Sequence, residues 1–283
     1  MGFRTAVVTG ASSGIGQATA HHLDSLGFTV FAGVRSAEAG ERLASEGSGR
    51  VRPLRIDVID PESIAAAAAE VREAAADAGL AALVNNAGIA VSAPLELVPI
   101  EELRNQLEVN VIGQVAVTQA FLPALRAARG RIANVSSIGG KIALPLAGPY
   151  AASKFALEAI TDSLRRELRH LGVRVIAIEP GGVKTAIWGK GTQTAEAMLD
   201  GSDPEVEALY SGLADALRAE AHRIDTETGI EASEVAEVIG RALTASRPRT
   251  RYLVGRDAKI RGTAARVLPD RAFDALIART LKP

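Results

Sequence analysis

The stretch Thr9-Gly10-Ala11-Ser12-Ser13-Gly14-Ile15-Gly16 joins a short apolar run to a segment of helical periodicity. Glycines at such a turn let backbone N–H groups approach a pyrophosphate at the positive end of the helix. Three residues separate Gly10 from Gly14, so the pattern is T-G-x-x-x-G-x-G rather than G-x-G-x-x-G. A tight turn without a ligand would use similar glycines. Its place between strand and helix favours a dinucleotide site formed by Gly10, Ser12, Ser13, Gly14, Ile15 and Gly16.

The turn opens an alternation of short β-branched runs with long Ala-rich helical segments. The predicted strands are 6–9, 29–34, 51–56, 81–85, 131–136, 173–178 and 252–254, and the predicted helices are 14–25, 38–45, 61–78, 100–127 and 150–170. Nearly all-apolar strands joined by helices are covered on both faces. The pattern predicts an α/β fold, a Rossmann-type doubly wound parallel sheet of about seven strands flanked by helices.

The chain after the sixth predicted strand follows a different pattern. A helical, acidic stretch covers 196–237, and one or two basic helices are expected over 258–281. We therefore predict a single dinucleotide-binding catalytic domain over 1–283, with a substrate lid at 186–237 and a basic C-terminal helical tail at 256–283.

Composition excludes several classes of protein. The 283 residues carry 32 Lys+Arg against 33 Asp+Glu, so no nucleic-acid partner is expected. The absence of cysteine excludes disulfides, thiolate metal sites and cysteine nucleophiles, and no metal site is predicted. The longest uncharged run, 109–125, is interrupted by amides, glycine and proline, so no transmembrane segment is predicted. Without a signal-peptide pattern, the expected location is cytoplasmic.

Further motifs follow the glycine turn along the chain. They are Asn85-Asn86-Ala87-Gly88, Asn110, Ser137 and Tyr150-Ala-Ala-Ser-Lys154, followed by Pro180-Gly181. In this order and at these separations, the sequence through Thr185 resembles the short-chain dehydrogenase/reductase family. The resemblance implies an NAD(P)-dependent oxidoreductase that interconverts an alcohol and a ketone or aldehyde by hydride transfer.

Tyr150 and Lys154 are the candidate acid-base pair. Four residues apart on a helix, they share one face, and a nearby ammonium is expected to lower the pKa of the phenol. The family resemblance assigns proton transfer at the substrate oxygen to Tyr150, and the nicotinamide ribose hydroxyls to Lys154. An isolated pair of this spacing would instead be an ordinary surface tyrosine and lysine.

Two more residues complete the catalytic group that the resemblance implies. The family's serine usually lies thirteen positions before the tyrosine, which selects Ser137 and leaves Ser136 as a neighbour that could position the cofactor. Asn110 resembles the member that holds a water linking Lys154 to solvent, although it could be a polar interruption of a buried helix. No G-x-S-x-G elbow surrounds Ser137, which disfavours a serine hydrolase.

The remaining cofactor contacts are expected where strands end. Asp57 and Val58 resemble the family's adenine contacts, and Asn86, Ala87 and Gly88 would pass beneath the adenosine ribose. The resemblance places Pro180, Gly181, Val183 and Thr185 against the nicotinamide carboxamide, with Gly181 and Gly182 admitting the ring. Capped turns without a ligand are the alternative for each.

Arg35 bears on which nicotinamide is used. NAD sites commonly place an acid at the end of the second strand, whereas an arginine there accommodates a 2′-phosphate. Here the strand ends Gly33-Val-Arg-Ser36, with Glu38 nearby. NADP(H) is therefore the expected cofactor, with Ser12 as a further phosphate contact, and NAD(H) remains possible.

The substrate is expected to be a small hydrophobic alcohol or ketone. The segments 91–95, 141–146 and 186–202 should form the pocket wall, which is mainly apolar; the apolar residues are Ile142, Leu144, Leu146, Ile187, Trp188, Met198 and Leu199. These residues could also simply pack on one another. The length and the tail are similar to those of steroid and retinoid members of the family. Nucleotide-sugar epimerases or dehydratases and non-catalytic dinucleotide-binding regulators are the alternatives.

Helix patterning and charge predict further contacts. Apolar residues surround the helices at 100–127 and 150–170, which indicates a homodimer or homotetramer. Residues 246–283 carry ten Lys+Arg and three Asp+Glu, whereas 196–237 hold twelve acids and two arginines. The basic tail, with an apolar side that includes Leu281, is expected to dock on the acidic lid or to lie on an anionic membrane.

Overall fold

The computed structural model describes residues 4–280; Leu281 and the end of the predicted tail lie outside them. Seven strands form one parallel sheet in the order β3-β2-β1-β4-β5-β6-β7. They are β1 (Arg4–Val8), β2 (Phe28–Val34), β3 (Val51–Arg55), β4 (Ala82–Asn85), β5 (Arg131–Val135), β6 (Arg174–Pro180) and β7 (Arg251–Val254). The predicted doubly wound sheet is confirmed. Its order reverses between β1 and β4, where ligands bind in such sheets.

Eleven α-helices are found in the described part of the chain. They are α1 (Gly14–Ser25), α2 (Ala37–Ser45), α3 (Pro61–Ala75), α4 (Ile100–Leu107), α5 (Gly113–Ala128), α6 (Gly148–Glu167), α7 (Ala186–Asp200), α8 (Pro204–Arg223), α9 (Ala232–Thr244), α10 (Arg256–Val267) and α11 (Asp270–Thr280). The lid and the tail are therefore both helical.

The core lies on the two faces of the sheet. Along β1, Ala6 and Val8 face a cluster that includes residues of α1 and α9, whereas Val7 faces a cluster on α3 and α5. This division follows from the alternation of side chains along a strand. Burial on both faces explains why the strands are almost uniformly apolar.

The helix predicted over 100–127 is interrupted. A π-helical turn at Glu108–Ile112 separates α4 from α5. Asn110 lies in that turn with its side chain buried and bonded to neighbouring segments, and such irregular turns are frequent at functional sites. Periodicity could not place the turn, because the apolar pattern continues through it.

The same continuous segment, Ile100–Ala128, is long and apolar enough to cross a membrane by length and composition alone. The sequence-based judgement that this region is too polar does not agree with that finding. In the fold, Val117, Phe121 and Leu125 of this segment belong to the core beneath the sheet. A core helix passes the same test of length and composition.

Candidate active site

The glycine turn is shaped by the lack of side chains. Gly10 and Gly14 have φ of +63° and +56°, a region that favours glycine. A Cβ on Gly16 would lie 2.2 Å from the carbonyl oxygen of Gly10, so this position has no room for a side chain. Ser13, the N-cap of α1, makes no side-chain hydrogen bond to the helix, unlike the caps Ser36 and Asp60 of α2 and α3. The described residues thus form a cradle at a helix start that fits the pyrophosphate of a dinucleotide.

The end of β4 is clamped to this turn. Thr9 Oγ1 accepts hydrogen bonds from the backbone N–H groups of Asn86, at 2.9 Å, and Ala87, at 3.0 Å. In return, Asn86 Nδ2 donates to the carbonyl oxygens of Thr9, at 2.9 Å, and Gly10, at 3.1 Å. Asn86 and Ala87 therefore hold the glycine turn in place through hydrogen bonds. The sequence predicted only ribose contacts for these two residues. Sequence reasoning quoted Thr9 but assigned it no role.

Asn110 is fully engaged with the loop after β4. Its Oδ1 accepts from the N–H of Ile89 at 2.9 Å, and its Nδ2 donates at 3.0 Å to both Ile89 O and Ser153 Oγ. Gly88 lies against it, since a Cβ there would be 3.2 Å from Asn110 Oδ1. The asparagine is thus a structural link between this loop and α6, and its predicted water-binding role stays a prediction.

Two further amides that sequence reasoning missed act in the same way. Gln106 Oε1 accepts from the N–H of Val91 at 2.7 Å, and Gln114 Nε2 donates to Ala87 O at 2.6 Å. Gln106, Asn110 and Gln114 recur every four residues, so they share one helical face. That spacing of amides within an apolar segment was the available signal.

Three of the four predicted catalytic residues, Ser137, Tyr150 and Lys154, come together where β5 ends and α6 begins. Ser137 Oγ accepts from the N–H of Gly139 at 3.0 Å, and Ser137 also hydrogen-bonds Tyr150. Lys154 Nζ lies 5.6 Å from the centre of the Tyr150 ring and donates to Val135 O at 2.9 Å. Proton donors and acceptors therefore meet at one point of the sheet edge.

The electrostatics differ from the expectation in one respect. Burial raises the pKa of the Tyr150 phenol, and the hydrogen bond with Ser137 only partly opposes this. Burial also lowers the pKa of Lys154 to about 8. The predicted lowering of the phenol pKa is thus wrong for this structure, because desolvation dominates.

Ser136 lies beside this group. Its Oγ is buried and has no hydrogen-bond partner among the described residues. A Cβ on Gly140 would lie 3.0 Å from that oxygen. The hydroxyl is therefore packed against the loop after β5, and the predicted cofactor-positioning role stays a prediction.

The residues expected near the adenosine lie in two places. Asp57 is half-buried after β3, where its N–H donates to Ser63 Oγ at 2.9 Å, and Val58 is buried against Gly113. Arg35 is exposed directly after β2 and has no ion pair within residues 4–280. Arg42 of α2, which sequence reasoning missed, donates to Ser12 O at 3.4 Å. Arg42 therefore contacts the glycine turn, and Arg35 follows the end of β2, where Gly33 O accepts from the N–H of Ala11 at 2.8 Å.

The loop after β6 is packed more tightly than expected. A Cβ on Gly181 would lie 2.2 Å from both carboxylate oxygens of Asp257, and one on Gly182 would lie 3.1 Å from Ile224. The absence of side chains at these glycines therefore lets Asp257 of the tail and Ile224 of the lid pack against the loop. This is in addition to the predicted role of the glycines in giving space to a nicotinamide. Thr185, the N-cap of α7, lies next to the glycine turn, 3.1 Å from where a Cβ on Gly14 would be. Pro180 and Val183 are buried.

The predicted apolar wall is largely occupied by its own packing. Ile142 and Leu144 pack with Ala258 and Phe273 of the tail. Leu146 and Leu199 pack with residues of α8 that include Tyr210, Leu213 and Leu217. Ile187, Trp188 and Met198 are half-buried on α7. The sequence left open that these residues simply pack on one another. That alternative accounts for most of the buried surface of Ile142, Leu144, Leu146 and Leu199.

Comparisons with known proteins agree with this geometry. Residues 4–196 match the family described as short chain dehydrogenase. Human retinol dehydrogenase 16 is 39% identical over 275 residues, which cover 95% of this chain and 86% of that protein.

Two solved structures carry cofactors. A short chain dehydrogenase from Burkholderia cenocepacia in complex with NADP is 30% identical, covers 99% of this chain and 98% of its own, and has a TM-score of 0.73. A short chain dehydrogenase/reductase from Burkholderia phymatum in complex with NAD is 26% identical, covers 99% and 97%, and has a TM-score of 0.77. With its seven-stranded sheet, glycine cradle and assembled Ser137, Tyr150 and Lys154, the chain belongs to the short-chain dehydrogenase family, whose cofactor is NAD(P)(H).

Proposed function

We propose that this protein interconverts a hydrophobic alcohol and the corresponding ketone or aldehyde with NADP(H) as the preferred cofactor. The observation that carries the proposal is the meeting of Ser137, Tyr150 and Lys154 at the same edge of the sheet as the glycine cradle. When bound, the cofactor supplies or accepts a hydride at the nicotinamide C4. The residues of the chain would hold it at the cradle 10–16 and at the loop 180–185.

The proton is handled by Tyr150. Because burial raises the pKa of its phenol, the group is protonated at neutral pH and can donate to the oxygen of a carbonyl substrate. The ammonium of Lys154, on the same side of α6, stabilises the phenolate that this step leaves. Ser137 supplies a hydroxyl that orients the same substrate oxygen. In the direction of alcohol oxidation, the proton returns from the substrate to the phenolate.

The preference for NADP(H) is supported by Arg35. An exposed guanidinium with no acidic partner within residues 4–280 is suited to a 2′-phosphate. Arg35→Asp should shift the ratio of kcat/KM values toward NADH, since it exchanges attraction for repulsion. Arg72→Asp, an exposed change on α3, is the matched control and should leave the ratio unchanged. Equal kcat/KM values for both cofactors in the unmutated enzyme would contradict the preference.

The hydrophobic substrate is supported by Ile187, Trp188 and Met198, which are half-buried on α7 and belong to neither packed cluster, and by the retinol dehydrogenase among the relatives. Oxidation of NADPH and NADH should be followed against a panel of hydrophobic ketones and aldehydes, with sugars and nucleotide-sugars as the comparison. Turnover of the hydrophobic compounds alone is expected. Turnover of nucleotide-sugars alone would favour the epimerase or dehydratase alternative.

We further propose a homodimer or homotetramer in the cytoplasm. Ile112 in the π-helical turn and Phe155 on α6 are 53% and 45% exposed, a large apolar exposure for one neighbourhood of helices. Light scattering at micromolar concentration should give at least twice the 29.4 kDa chain mass. Fractionation of the producing cells should recover the protein in the soluble fraction; recovery with membranes would contradict the cytoplasmic proposal.

A further inference from the structure

Asp257 of the C-terminal extension makes direct contact with the loop after β6. Its Oδ2 accepts a hydrogen bond from the N–H of Gly182 at 2.8 Å, across 75 residues of sequence. Both carboxylate oxygens lie 2.2 Å from where a Cβ on Gly181 would be, so the carboxylate rests on the backbone of this loop.

The chain provides space for this carboxylate from two sides. Gly255, which precedes α10, has φ +99°, and a Cβ there would lie 2.6 Å from Asp257 Oδ1. Gly181 provides the space on the opposite side. A glycine at each position is therefore required for the carboxylate to reach the N–H of Gly182.

Further along the loop, Lys184 pairs with Glu231, but the other contacts of Gly181 and Gly182 themselves run through backbone groups. The N–H of Gly181 donates to Val254 O at 2.9 Å, and the carbonyl oxygen of Gly182 accepts from the N–H of Ile230 at 3.0 Å. Asp257 is the charged side chain that completes this set. A hydrogen bond to an ionised acceptor is stronger than a neutral one, so this contact should dominate the position of the Gly182 peptide.

We infer that Asp257 is a positioning residue for the cofactor: it holds the loop 180–185 in the conformation that receives the nicotinamide carboxamide. The inference rests on the proposed function for the role of that loop. Asp257 itself does not touch the reacting atoms. The tail is then part of the cofactor site. Through the contact of Asp257 with Gly182, a displacement of α10 would move the loop that receives the nicotinamide.

The test compares Asp257→Ala and Asp257→Asn with Asp274→Ala, an exposed acid of α11. The Kd for NADPH is measured by fluorescence without substrate, next to the KM values for NADPH and ketone. The Ala variant should raise the Kd and the KM for NADPH about tenfold, a loss typical of a hydrogen bond to a charged group. The Asn variant retains an acceptor oxygen and should change both less than threefold. The Asp274 control should match the unmutated protein.

A second arm uses the contact between Gly181 and Asp257. Gly181→Ala places a methyl group against the carboxylate and should weaken NADPH binding by itself. In combination with Asp257→Ala, it should add little to the loss from Asp257→Ala, because the collision is gone. Fully additive losses would mean that the two residues do not act through one contact.

The outcomes separate the inference from the function on which it rests. Failure of the unmutated protein to bind NADPH or NADH would overturn the proposed function, and the inference with it. Normal NADPH binding by a folded Asp257→Ala variant, or a lowered Tm with an unchanged Kd, would overturn the inference alone. Should the Ala variant not fold, Gly181→Ala takes its place, and an unchanged Kd for NADPH in a folded Gly181→Ala variant would overturn the inference.

Discussion

The cofactor end and the C-terminal end of this molecule are held together by different kinds of contact. At the glycine cradle, Thr9, Asn86 and Ala87 exchange short hydrogen bonds between backbone groups and uncharged side chains. At the other end, charged side chains join distant segments, as Arg251 joins Glu158 and Glu179. Both sets join segments distant in sequence, but uncharged hydrogen bonds preserve one geometry under most conditions, whereas ion pairs respond to pH and salt.

The ion cluster around Arg251 surrounds two buried carboxylates, Glu158 and Glu179. Arg251 of β7 lies 2.7 Å from Glu179 and 2.5 Å from Asp162, and it also contacts Glu158. Lys141 approaches Glu158 at 3.0 Å and Glu179 at 3.6 Å. Burial raises the pKa of Glu179 and lowers the pKa of Lys141, while their mutual attraction opposes both shifts. The cluster connects the loop after β5, α6, β6 and β7.

Loss of the phenol should have the largest effect. Tyr150→Phe should lower kcat by about 10²- to 10⁴-fold, the usual contribution of a general acid, while the Kd for NADPH changes little. Single-turnover kinetics and fluorescence titration measure the two quantities. Full activity of this variant on a true substrate would show that the proposed proton donor is wrong.

Removal of Arg251, the cation at the centre of the ion cluster, should cause the largest loss of stability. Arg251→Met leaves the buried Glu158 and Glu179 with Lys141 as their nearby cation, while Asp162 keeps Arg165 and Arg166, and it should lower the free energy of unfolding by about 3 kcal/mol. Urea denaturation measures it, with the exposed Arg247→Met as the control. A loss no greater than in the control would mean that the cluster adds no stability and that the contrast between the two ends is weaker than drawn.

The buried ammonium should give a pH dependence. The pKa of Lys154 in the folded protein, about 8, lies below its ordinary value of 10.5, so between these values the unfolded chain binds a proton that the native state has lost. Stability attributable to this group should therefore rise from pH 8 toward pH 10.5, and its penalty is complete below pH 8. Lys154→Met should be more stable than the unmutated protein at pH 7, by about 3 kcal/mol at most.

That difference should shrink as the pH approaches 9.5, and the lost bond to Val135 will reduce it at every pH. Thermal unfolding without cofactor at several pH values measures it, with Lys259→Met on the exposed face of α10 as the control. A stability difference that does not change with pH would contradict the shifted pKa.

Loss of the hydrogen bonds that Thr9 accepts from Asn86 and Ala87, the clamp at the cofactor end, should have an intermediate effect on stability. Thr9→Val keeps the shape of a buried side chain but leaves the N–H groups of Asn86 and Ala87 without this acceptor. The free energy of unfolding should therefore fall by about 1–3 kcal/mol. Thr9→Ser retains the hydroxyl and should retain most of the stability. The Kd for NADPH should rise only in the Val variant, and equal behaviour of both variants would argue against the clamp.

The contact between lid and tail should be the weakest. Within the described residues, a single ion pair joins α10 to α8, Arg261 to Glu220 at 2.9 Å. Arg261→Ala should cost about 0–1 kcal/mol and change the KM for ketone less than twofold at low or high salt. A large change that disappears at high salt would instead support the tail docking by charge that the sequence predicts.

Truncation after position 245 would not test this docking, because it removes β7 from the sheet together with the tail. Apolar contacts hold the tail instead: Ala258 and Phe273 pack with Ile138 and Ile142 of the loop that follows Ser137. The formal charge difference between lid and tail therefore says little about how they meet.

The strands and the cofactor cradle were readable from the sequence because their signals are local. A glycine with positive φ, an apolar strand buried on both faces and a Tyr and Lys one helical turn apart each involve neighbouring residues. All seven predicted strands were found, and three of the four predicted catalytic residues, Ser137, Tyr150 and Lys154, lie together. The π-helical turn at 108–112 was not predicted, because its formation depends on contacts between amide side chains and a loop distant in sequence.

What the sequence by itself determined is thus the sheet, its helix layers and the family motifs at one edge, since each follows from residue spacing over a few turns or strands. Tertiary structure alone decided the direction of the Tyr150 pKa shift, the ion cluster around Arg251 and the contact of Asp257 with Gly182. The partners of Arg251 lie 72 to 93 residues away along the chain. Burial and charge pairing depend on which segments the fold brings together, and no local spacing of residues records that.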